Sequence, residues 1–101
     1  MESSNTTDAR KVILISKSNY SSEHEDVLKA LIKRNIELFC AIGTDCEKWE
    51  EAVDWLCIDE KGNKIGFVNT TSHPDETIEE VMDFAKNWSI EGNNEIQVIE
   101  I

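Results

Sequence analysis

A chain of 101 residues, 40% of them apolar, is long enough to build one hydrophobic core and too short to build two. With 21 acidic against 10 basic side chains its net charge is -11, so phosphate backbones and anionic lipid are poor partners, and a basic protein or a cationic patch is the natural match. Cys40, Cys46 and Cys57 form neither an even set nor a CxxC pair, which argues against a disulfide framework or a zinc ribbon and for reduced thiols in the cytoplasm.

The opening stretch, MESSNTTDARK, has no apolar signal core, and no run of about 18 apolar residues occurs in the chain. Residues 1–9 are expected to be a disordered lead and residues 10–101 a single α/β domain. Val12 to Ile15 is a continuous, β-branched-rich run, as in a strand covered on both faces. The polar loop SKSNYSSEHED follows, then Val27, Leu28, Leu31 and Ile32 at the spacing of an amphipathic helix. The run IELFCAI, residues 36–42, predicts a second central strand, and Trp49, Ala52, Val53 and Leu56 a second helical stripe. The run IGFVNTT, residues 65–71, predicts a third strand, Ile78, Val81, Met82, Ala85 and Trp88 a third helix, and EIQVIEI from Glu95 a final strand suited to an edge.

Each expected helix start carries a hydroxyl followed three residues later by a carboxylate: Ser22 with Glu25, Thr44 with Glu47, Ser72 with Asp75. Pro74 fits a first helical turn, where its missing N–H costs little. The alternation of strand and helix predicts right-handed crossovers in an α/β three-layer sandwich. Its sheet is expected to be four-stranded and mostly parallel, of order 2-1-3-4, with three helices, a minimal flavodoxin-like or Rossmann-like fold. The turn DEKGNK could instead pair Cys57-Ile58 with Ile65-Gly66 as a short hairpin.

In such sheets, ligands bind beyond the carboxyl ends of the strands. The loops expected there offer Ser16, Lys17, Ser18, Thr44, Asp45 and Ser72 as ligand-binding residues. They also bring Cys46, His73 and Asp75 into question as nucleophile, base and orienter, or as ligands to Zn²⁺. Local chemistry tempers both readings. Asp45 and Glu47 oppose a Cys46 thiolate, a histidine before proline is commonly a solvated cap residue, and capping accounts for the hydroxyls without a ligand. The loop SKSNYSS contains no glycine, so neither a P-loop nor a GxGxxG turn is expected. No cofactor and no metal ligand is assigned from the sequence. Trp55 falls off the second apolar stripe beside Glu51 and Asp54, and an exposed tryptophan ringed by carboxylates suits contact with a basic protein partner or a homodimer.

Through GTDCEKWEEAVDWLC and TTSHPDETIEEVMDFAKNW the chain resembles small bacterial proteins of a domain family with no assigned function, over roughly residues 10–90. The resemblance implies a stand-alone domain in bacterial cytoplasm and carries no catalytic residues. The leading expectation is therefore a non-catalytic protein-binding or regulatory module. The alternative is a small enzyme or ligand-binding protein working at the carboxyl-end loops.

Overall fold

The computed structural model describes residues 9–58, 61–64, 66, 68–90 and 94–101. The lead expected over 1–9 lies outside the described residues except for Ala9, which is buried. In chain order the elements are β1 (Lys11–Ser16), a 3-10 turn (Ser22–His24), α1 (Glu25–Lys33), β2 (Leu38–Gly43), α2 (Cys46–Leu56), β3 (Asn69–His73), α3 (Ile78–Asn87) and β4 (Ile96–Glu100). All three strand pairings are parallel, and the sheet has four strands, as the alternating pattern predicts.

The strands stand in the order β3-β2-β1-β4. β1 and β2 are neighbours, as expected, while β3 pairs with β2 on its far side and β4 pairs with β1. Of the two minimal folds expected, this is the Rossmann-like order rather than the flavodoxin-like 2-1-3-4. Composition supplies the reason. KVILIS and LFCAIG are apolar toward both faces and occupy the centre, whereas NTTSH and IQVIE carry the polar side chains that an edge tolerates.

Alternate residues of the central strands feed two separate clusters. Val12, Leu14, Phe39 and Ala41 face α1 and α2, where they meet Leu28, Leu31, Ile32, Trp49 and Val53. Ile13, Leu38, Cys40 and Ile42 face α3 and meet Val81 and Ala85. The connections β1→β2 and β2→β3 step one way across the sheet while β3→β4 steps back over it. With right-handed crossovers, α1 and α2 therefore share one face and α3 takes the other.

The caps differ from the sequence reading at every helix. Ser21, not Ser22, precedes the 3-10 turn, and its N–H donates to Nδ1 of His24 (3.3 Å). α2 begins after Asp45, held in the left-handed region (φ 57) with no side-chain cap bond. At α3, β3 runs on through Ser72 to His73, because the ladder with β2 continues to Ile42, so the start moves to Thr77. There Glu80 N–H donates to the Thr77 hydroxyl (3.2 Å) and Thr77 N–H donates to the Glu80 carboxylate (2.9 Å). The alternative hairpin survives as a single antiparallel bridge between Ile58 and Lys64; Ile65, on which the expected pairing also relied, lies outside the described residues.

Candidate functional site

Because all strands are parallel, their carboxyl ends share one rim, and the loops after β1, β2 and β3 lie along it. Gly43 ends β2 at φ 92, and a Cβ there would meet the Ser16 carbonyl oxygen at 2.3 Å. Glycine is therefore what lets the ends of β1 and β2 close up, with Thr44 N–H donating to that same oxygen (2.9 Å).

The polar residues of this rim are largely engaged with one another. The buried Ser16 hydroxyl donates to the Ser18 carbonyl (2.6 Å) and accepts from Nε1 of Trp49 (3.0 Å). Asp45 accepts from the backbone N–H of Tyr20 (2.9 Å), tying the β1–α1 loop to the start of α2. The exposed Lys17 ammonium stands 3.7 Å from Glu100, and Lys17 N–H donates to the Ile101 carbonyl (2.7 Å). Ser18 and Thr44 are exposed, and Ser72 is half-buried in β3. Tyr20, His24 and Trp49 stack as a ring cluster with centroids 4.7–6.0 Å apart, which half-buries His24.

Of Cys46, His73 and Asp75, the first two meet through the His73 backbone. The Cys46 thiol packs in the α1/α2 cluster and is hydrogen-bonded to the backbone of His73. Desolvation pushes that thiol above the ordinary cysteine range, the His73 backbone bond opposes this, and the nearby Glu47 charge raises it further. The imidazole of His73 lies on the α3 side against Phe84, with ring centroids 5.2 Å apart. Both its nitrogens are taken: Nδ1 by the Glu76 carboxylate (2.7 Å) and Nε2 by the Thr71 hydroxyl (2.8 Å). An ionised carboxylate only accepts, so Nδ1 carries the proton, and in the neutral ring Nε2 accepts from Thr71. Asp75 is exposed. The partner of His73 is thus Glu76, one residue further along.

Thr71, His73 and Glu76 have the hydroxyl, imidazole, carboxylate order of a nucleophile, base and orienter. The Cys40 thiol also bonds the Thr71 side chain, and burial pushes that thiol up as well. The chain supplies both nitrogens of a 7% exposed imidazole with partners, as a buried polar group requires. Among the described residues no cluster of three or more His, Cys, Asp or Glu could hold a metal ion, and no helix is long and apolar enough to cross a membrane.

A concave surface lies elsewhere, on the outer side of α1 and α2. Trp55 is 75% exposed, as its place off the apolar stripe predicts. It walls a groove of about 980 Å³ floored by Ala30, Ile32, Leu56 and Ile58. Lys29, Lys33 and Lys61 line this groove, against one carboxylate among the described residues, Asp26. The other side of Trp55 borders a smaller hollow of about 350 Å³ with Glu51, Asp54 and Ile58. Glu51 is exposed, and Asp54 accepts from the Thr70 hydroxyl of β3 (2.9 Å). Sequence reasoning finds the anionic flank and misses the cationic one, although Lys29 and Lys33, four apart on α1, give a signal for it.

The fold and surface define a minimal parallel α/β protein with an exposed tryptophan on the two-helix face. The chain matches the family model "Domain of unknown function (DUF7684)" over residues 1–101 and belongs to that family. No curated protein and no solved structure matches it.

Proposed function

We propose that the chain acts as a non-catalytic protein-binding or regulatory module that presents the Trp55 face of α2 to a protein partner. The observation that carries this is Trp55 itself. A large aromatic at 75% exposure, between an apolar-floored groove and two carboxylates, is the residue type and setting of an interface anchor. Glu51 and Asp54 suit basic groups on that partner. The net charge of -11 disfavours nucleic acid and anionic membrane as partners. We infer a cytoplasmic location from the three free cysteines.

The enzymatic alternative would work through Cys46, and its thiol is buried, raised in pKa and turned away from the His73 ring. Two measurements test the reading. Immobilised wild-type chain at low salt is expected to retain a defined protein that the Trp55→Ala chain does not; equal retention by both removes Trp55 from the interface. Cys46 is expected to label with a thiol reagent at neutral pH more slowly in the folded chain than in the unfolded chain. Faster labelling in the folded state would restore the nucleophile and with it the enzymatic reading.

A further inference from the structure

On a chain whose net charge is -11, Lys29 and Lys33 of α1 line the groove beside Trp55, and among the described residues Asp26 is the one carboxylate there. The hollow on the other side of the same tryptophan is bordered by two carboxylates and, among the described residues, no basic side chain. One surface therefore carries an aromatic ridge, a groove with an apolar floor and the two α1 lysines on one side of it, and Glu51 and Asp54 on the other, where Lys48 also lines a hollow with Glu51 and Trp55. The basic groups that Glu51 and Asp54 call for exist on this chain itself.

We propose that the Trp55 face is a two-fold interface between two copies of the chain, each seating its Trp55 in the other's α1/α2 groove. This deepens the protein-binding reading and rests on it, naming a second copy as the partner. A two-fold operation makes every contact twice, so a surface pairs with itself only if each feature meets its complement across the axis. Here the ridge meets the groove, and the Glu51/Asp54 flank of one copy meets the Lys29/Lys33 flank of the other. The Glu25–Lys29 pair within α1 is long, 4.0 Å, and so holds the Lys29 ammonium only weakly. Two chains of charge -11 repel at long range, but at about 0.15 M salt charges beyond about 8 Å are largely screened, and the contacts across the groove are shorter.

The test is sedimentation velocity of the full chain at about 0.15 M salt, from about 1 µM to about 1 mM. The wild type is expected to double in mass with rising concentration, and Trp55→Ala to weaken that association at least about tenfold. Lys33→Glu and Glu51→Lys are each expected to be monomeric over a range where the wild type pairs. An equimolar mixture of those two variants is expected to pair again. The carboxylate introduced at position 33 of one copy then faces the ammonium introduced at position 51 of the other, and the native Glu51 of the first copy still faces the native Lys33 of the second. All of these positions are exposed, and far-UV circular dichroism checks that each variant folds. A wild type that stays monomeric across the range overturns the proposal, as does a dimer indifferent to Trp55→Ala and to the charge variants. A monomer that still retains a different protein through Trp55 overturns the dimer alone and leaves the protein-binding reading intact.

Discussion

The two faces of the sheet solve one packing problem in different ways. On the α1/α2 side two helices cover the sheet with a continuous apolar cluster centred on Trp49, which is fully buried. Its single polar side-chain atom, Nε1, is satisfied by Ser16. On the α3 side one helix packs over β1 and β2, and its neighbourhood buries charge and polarity: the side chain of Lys11, 1% exposed, donates from Nζ to the Ala85 carbonyl in the last turn of α3 (2.7 Å). The Thr71–His73–Glu76 chain lies beside Phe84 on the same side. An apolar face is stabilised roughly in proportion to the area it removes from water, whereas a face carrying buried polar groups depends on each of them keeping its partner. A lysine at a helix C-terminus also meets the negative end of the helix dipole.

The largest expected effect tests the apolar face. Trp49→Ala should cost about 4 kcal/mol, seen as a lower midpoint in urea unfolding, because it opens a cavity at the centre of the cluster and strips Ser16 of a donor. On the other face, Lys11→Ala should cost about 2–3 kcal/mol by the same measurement, from a lost charged hydrogen bond and a smaller cavity. Lys11→Met keeps the volume but removes the donor to the Ala85 carbonyl, so it should still cost about 1–2 kcal/mol. The contrast between the faces breaks if Lys11→Met is as stable as wild type, since filled volume alone would then account for both faces. The smallest effect concerns the single helix on that side: Thr77→Ala should cost about 1 kcal/mol by removing the hydroxyl that accepts from Glu80 N–H.

Legibility in the sequence follows the same division. The runs VILI and LFCAI, and the stripes of α1, α2 and α3, are readable because burial on a periodic element leaves a periodic trace. Trp55 is readable as exposed for the same reason, lying off its stripe. Helix starts are less legible. Hydroxyl-then-carboxylate spacing occurs at Ser22, Thr44 and Ser72, yet the instance that forms a reciprocal cap is Thr77 with Glu80, because β3 pairs with β2 two residues beyond the expected strand end. Asp45, expected as a rim ligand residue, is spent on the Tyr20 backbone. His73 is expected to look toward Cys46, but strand alternation turns its ring to the other side of the sheet, toward Glu76 and Phe84.

Local pattern alone determined the element types, their order in the chain, the parallel layered class and the overall negative charge, since each depends on neighbouring residues or on a sum over all of them. Only the tertiary structure decided that β3, not β2, became the second edge beside β4, which side of the sheet each rim residue faced, and that the α1 lysines stand beside Trp55 of α2. Those outcomes depend on contacts between residues far apart in the chain.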